Sequence, residues 1–202
     1  MIITPKTYKG LKDEGWRYVL NGDLISDKEI KIELDKPLYV TGRIEAKTYI
    51  EAGYGIKAGE GINAGEGIKA GAGINAGYGI EAGYGINAGE GINAGYEINA
   101  GYEIKAGEGI NAGYEIKAGE GINAGYEIEA GEGINAGWGI NAGWGIEAGF
   151  YIICKTLSTS LRIFAGLCIW RLPTKEETEI RCEKLIKGEV AYGKLVITKK
   201  IK

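Results

Sequence analysis

Residues 62–80 read INAGEGIKAGAGINAGYGI. Ile returns at every sixth residue, with Ala two places after it and Gly three places after it. The hexad extends in both directions. It begins 17 times in unbroken phase from Ile50 to Ile146, with Ala at position three and Gly at position four in every copy. A fixed period this short is the mark of a solenoid and takes precedence over any other motif.

Residues two apart point to the same side of an extended strand. I-x-A is therefore a three-residue strand with one large and one small inward side chain. Position two points outward and is Asn in nine copies, Lys in four and Glu in four. The Gly at position four has no Cβ and admits positive φ, which predicts that it turns the corner. A second Gly, at position six in 12 copies, eases the next strand. Such a strand cannot bury its face alone, so coils must stack into a continuous Ile/Ala core.

Two coil lengths are compatible with hexads, 12 residues and 18. A 12-residue coil would stack Glu108, Glu120 and Glu132 at about 4.8 Å, and like charges at that distance repel. In favour of 12, such a coil would stack several aromatics in one column. An 18-residue coil instead sets Tyr126 over Glu108 and Glu120 over Tyr102, diluting the charge, and this favours 18.

The expected fold is thus all-β: a single-stranded parallel β-helix, triangular, with about 18 residues per coil and a capping segment at each end. Looser hexads at Leu20, Ile32, Leu38 and Ile44 extend it upstream. Ile152-x-Cys154 and, after a one-residue slip, Ile163-Phe-Ala165-Gly166 extend it downstream. The expected organisation is an N-terminal cap over 1–18, a solenoid over 19–170 with strict hexads over 50–151, and a basic, hairpin-like C-terminal cap over 171–202. Within that cap, Thr174–Glu177 (TKEE) has the pattern that starts a short helix.

Composition supports a folded chain. There are 36 Gly but only 3 Pro among 202 residues, with no collagen period, and 45% of the chain is hydrophobic. The start MIITPKTYKGLKDEGW has no apolar signal core, and no run is long enough to span a membrane. A soluble, cytoplasmic protein is expected. The three cysteines, Cys154, Cys168 and Cys182, form no CxxC pair and read as small buried side chains. The net charge of −3 hides an asymmetry: residues 50–151 hold 14 Glu and 4 Lys, whereas residues 152–202 hold 11 basic and 5 acidic groups.

The hexad resembles the hexapeptide-repeat β-helix of acyltransferases and γ-class carbonic anhydrases. It differs in placing its small inward residue two after the aliphatic one rather than two before. It is also similar to uncharacterised Gly/Ile-rich solenoids of gut bacteria and their phages, and in general style to bactofilin filaments. The hexapeptide enzymes depend on His as general base or zinc ligand, and this chain has no His. There is no P-loop, no calcium-binding nonapeptide Asp and no Thr array in 50–151. No enzymatic activity, cofactor or metal is expected.

Function is then expected at the outward positions. Position five is Tyr in seven copies, Glu in six, Trp in two, Phe in one and Ala in one. Position six adds Glu97, Glu103, Glu115 and Glu127, each directly after a Tyr. The candidate partner-binding surface comprises Tyr96, Glu97, Tyr102, Glu103, Glu108, Tyr114, Glu115, Glu120, Tyr126, Glu127, Glu132, Trp138 and Trp144. Exposed Tyr and Trp are typical anchors of protein interfaces, and regular carboxylates can stand in for phosphates. The expected partner is another protein with a basic surface, bound as an inhibitor or nucleic-acid-mimicking decoy, with no membrane and no direct nucleic-acid contact. Alternatives are self-association through the solenoid ends into a scaffold, and sugar or base binding on Tyr96, Tyr102, Trp138 and Trp144. The plain reading of the same letters is solubility.

Overall fold

The computed structural model describes residues 1–168 and 171–199. Ile62 pairs in parallel register with Ile44 on one side and Ile80 on the other, and the Ile residues of successive coils stay 18 apart throughout the strict repeat. Three hexads thus complete one coil, and the chain is a parallel β-solenoid with three faces. Face one carries Ile50, Ile68, Ile86, Ile104, Ile122 and Ile140. Face two carries Ile56, Ile74, Ile92, Ile110, Ile128 and Ile146. Face three carries Ile62, Ile80, Ile98, Ile116, Ile134 and Ile152. Corners one, two and three follow the faces of the same number. Every Ile and Ala of the strict hexads is buried, as the period-two pattern requires.

The invariant Gly has a different cause from the one expected. Positive φ occurs at Gly15, Gly22, Gly166, Gly188 and Gly193, and at no glycine of the strict repeat. Position four is restricted by close approach instead, except at Gly53, where a Cβ would meet nothing within 4 Å. A Cβ on Gly101 would fall deep inside the van der Waals surface of the Gly83 carbonyl oxygen one coil below, and Gly65, Gly119 and Gly143 meet the same obstacle. The Gly amide there bonds the previous coil, as in Gly101 N–H to Ala82 O at 3.0 Å, which draws the two corners together. Position six is looser: a Cβ on Gly85 would stand 3.3 Å from the nearest carbonyl oxygen. That difference explains why position six admits Glu in four copies and position four admits nothing but Gly.

The ends show how the chain starts and finishes its coils. Ile2–Ile3 already pairs in parallel with Ile30–Ile32, within the segment expected to be cap alone. Leu11–Asp13 then lies antiparallel on Tyr18–Leu20, and Tyr8 and Leu11 pack against the core. Downstream, the slip places Ile163 over Ile146, and the long strand Thr156–Ala165 joins faces one and two into a single sheet. The boundary expected at 170 falls outside the described residues.

The hairpin expected in 171–202 is corrected. Lys184–Tyr192 runs parallel to Thr156–Ala165, and Lys194–Ile197 runs parallel to Glu179–Cys182. The alternating pattern there belongs to a further coil. Gly188 (φ 111°) and Gly193 (φ 101°) bend the chain around corners rather than back on itself. Before this coil, Glu176–Thr178 forms a single 3-10 turn. Thr174 and Glu177 cap each other: Thr174 N–H donates to the Glu177 carboxylate at 2.8 Å, and Glu177 N–H donates to Thr174 Oγ1 at 3.3 Å. The Arg171 guanidinium, bound to the same carboxylate through two hydrogen bonds, holds Glu177 down at about 2. Cys154 and Cys182 are buried and free, and burial pushes the Cys154 thiol up to about 12.

Candidate functional site

The 18-residue coil sorts the sequence-predicted surface into three ridges rather than one patch. Corner one holds Glu108, Tyr126, Glu127 and Trp144. Corner two holds Tyr96, Glu97, Tyr114, Glu115 and Glu132. Corner three holds Tyr102, Glu103, Glu120 and Trp138. Residues on different ridges belong to different edges of the rod, so a partner docking on one ridge cannot also engage the other two as one flat surface.

On corners two and three the side chains are largely engaged with each other. Tyr96 lies between Tyr78 and Tyr114 in one column, with ring centroids 6.2 and 4.8 Å away. Tyr84 and Tyr102 stack at 4.9 Å, nearly parallel at 2°. Each column ends on a carboxylate. Glu132 hydrogen-bonds the Tyr114 hydroxyl and Glu120 that of Tyr102, which raises both phenol pKa values. Glu103 accepts from Asn123 Nδ2 at 3.0 Å. Glu115 is buried, held by Tyr151 and Lys117. Lys155 sits 4.9 Å above the Trp138 ring. The rings spend their faces on the stack and its neighbours, and show edges and hydroxyls outward.

Corner one is different. Glu90 and Glu108 are stacked neighbours, joined only through backbone (Glu108 N–H to Glu90 O, 3.3 Å). Beyond them Tyr126 and Trp144 meet edge to face at 5.4 Å, 48% and 58% exposed. On adjoining face two, Glu129 and Glu147 occupy successive position-two sites. Burial pushes the Glu147 carboxyl up, and the charges of Glu129 and Glu127 push it further. Here three carboxylates gather, and among the described residues none of Glu127, Glu129 and Glu147 is in a salt bridge; Asn111 Nδ2 donates to Glu129 at 3.2 Å. Beside Trp144 opens a concavity of about 830 Å³, lined by Glu127, Leu161, Arg162 and Phe164 among others. Leu161 is itself exposed, so an apolar floor is rimmed by charge.

Sequence reasoning named Glu108, Tyr126, Glu127 and Trp144 but missed Glu90, Glu129, Glu147 and the Leu161/Phe164 wall. Counting in steps of 18 finds the glutamates, because Glu90 and Glu108, and Glu129 and Glu147, are one coil apart. The apolar wall has no such signal, since it lies after the repeat slips. Among the described residues no cluster of His, Cys, Asp and Glu could hold a metal ion, and no helix is long and apolar enough to cross a membrane. Comparison with protein-family models, with curated proteins and with solved structures returned no match.

Proposed function

We propose that this chain is a non-enzymatic solenoid that binds a basic protein through corner one, as an inhibitor or decoy that takes the place of nucleic acid. The observation that carries this reading is the partly buried Glu147 clustered with Glu129 and Glu127 beside an exposed Tyr126–Trp144 pair. Like charges held close in a folded state lower its stability, and clusters of this kind concentrate at functional sites. A cationic partner relieves the repulsion, while Trp144 and the adjoining concavity supply an aromatic anchor. The backbone beneath is hydrogen-bonded from coil to coil, so the surface is rigid before binding and loses little entropy on docking. The resemblance to phage solenoids makes nucleic-acid-binding defence proteins the first class of partner to try.

The test is capture of proteins by the immobilised chain, compared with Trp144→Ala and with the double variant Glu129→Gln/Glu147→Gln. The reading expects a basic protein retained at low salt, released at high salt and lost from both variants. Equal retention by wild type and variants, retention indifferent to salt, or direct binding of DNA overturns it.

A further inference from the structure

The last described coil leaves its core open. Leu195 and Ile197 lie in register with the buried Ile180 and Cys182, so they hold inward positions on face three, yet they are 38% and 57% exposed. Leu185 and Val190, in register with the buried Leu157 and Ile163, point inward from faces one and two and are only partly covered. Among the described residues, Lys184–Tyr192 pairs with Thr156–Ala165 alone and Lys194–Ile197 with Glu179–Cys182 alone, so the outer backbone edge of both strands is unpaired. The opposite end differs. There Leu11–Asp13 lies antiparallel on Tyr18–Leu20, and Tyr8 and Leu11 pack against the core.

We propose that a second copy of the chain docks on this coil, end against end, in a two-fold symmetric dimer. Three observations point there. First, the coil is self-complementary about Gly188, which turns corner one (φ 111°). The register with Thr156–Ala165 skips Ile186 and Ala191. Without those two, the strand reads Lys184 out, Leu185 in, Lys187 out before the corner, and Glu189 out, Val190 in, Tyr192 out after it. A two-fold axis through Gly188 exchanges faces one and two and sets their free edges antiparallel, where opposed residues must share a side. Leu185 then meets Val190 of the second copy, both inward. Where the same axis crosses face three at Val196, Leu195 meets Ile197 of the second copy, and both exposed core positions are covered. Second, the charges fit. Lys187 meets Glu189 of the second copy, and the symmetry repeats the pair. Lys184 meets the ring of Tyr192. Third, the contact closes on itself. A head-to-tail filament would need the other end, which its antiparallel strand and Tyr8 already cover.

The experiment is analytical sedimentation of the full chain across the micromolar range, with Lys187→Glu, Glu189→Lys and the double swap alongside. Both residues are exposed in the single chain, so each variant is expected to fold. The expected result is a dimer for wild type and for the double swap, with association about tenfold or more weaker in either single variant. Mixing the two single variants is expected to restore a dimer, now of one copy of each, because they carry opposite charges at both positions. A monomer at every concentration, masses that climb beyond the dimer, or a mixture that associates no better than its parts overturns the proposal. So does a dimer that forms only after residues 200–202 are removed, since those residues would then be the occupant of the coil. Glu189 also borders the concavity beside Trp144. Sedimentation contains no other protein, so failure here and failure of protein capture are read separately.

Discussion

The Tyr151 hydroxyl donates a 2.6 Å hydrogen bond to Oε1 of Glu115, a residue two coils earlier in the same corner column. To get there the Tyr151 ring crosses Gly133, where any Cβ would overlap the ring. Lys117 Nζ lies 2.6 Å from the other carboxylate oxygen. Glu115 is only 6% exposed, so both contacts are needed to keep a buried charge satisfied. Burial and the neighbouring Glu115 charge raise the Tyr151 phenol, and the hydroxyl stays protonated as the donor.

Tyr151→Phe is therefore expected to destabilise the chain by about 1–3 kcal/mol, because one oxygen of a buried carboxylate loses its partner. Glu115→Gln in the same background should recover part of the loss, since the unpaired charge is gone. Denaturant midpoints of the two variants measure this. A midpoint unchanged in Tyr151→Phe removes the latch from the account.

The two glycine positions should respond unequally to alanine. Gly101→Ala places a Cβ against the Gly83 carbonyl, and two backbones must part. A loss of about 1–3 kcal/mol, as for overpacking in a core, is expected. Gly85→Ala meets its nearest atom at 3.3 Å and should stay within about 0.5 kcal/mol, helped by a less free unfolded chain. Melting curves of the pair decide the matter; similar losses at both sites would show that corner crowding does not set the invariance.

Removing the middle ring of a column tests the ladder. Tyr96→Ala breaks contact with both Tyr78 and Tyr114 and should cost about 0.5–1.5 kcal/mol per ring pair beyond lost area. A double-mutant cycle of Tyr96→Ala with Tyr114→Ala should show positive coupling, because the two rings lie 4.8 Å apart at 10°. Strict additivity would mean that the rings are neighbours without being partners.

Glu147 gives a pH-dependent prediction. Its folded pKa is raised, so the folded state holds that proton more tightly than the unfolded state does. Ionisation therefore penalises folding. The penalty is absent below the ordinary carboxylate range and complete once pH exceeds the raised folded value. Glu147→Gln should melt higher than wild type at neutral pH and together with it in acid. A gain that persists in acid, or no gain at neutrality, contradicts the repulsion at corner one.

Much of the architecture was readable in the hexad. Ile at position one and Ala at position three had to share the inner face, and Glu or Asn at position two had to face water, because side chains alternate along a strand. Eighteen residues per coil was also within reach, since stacked glutamates disfavoured twelve. The C-terminal segment, expected to be hairpin-like, is a further coil, because a coil that continues and a hairpin that returns show the same period of two.

Sequence alone thus determined what each position in a hexad is for. Only the stacked structure decided which hexads meet. Tyr96 touches Tyr114, Glu147 is repelled by Glu129, and Tyr151 reaches Glu115 because of the coil length, which is a property of closure around three faces and not of any one repeat. The reason for the invariant Gly was likewise tertiary: the carbonyl that excludes a Cβ at Gly101 belongs to Gly83, one coil away.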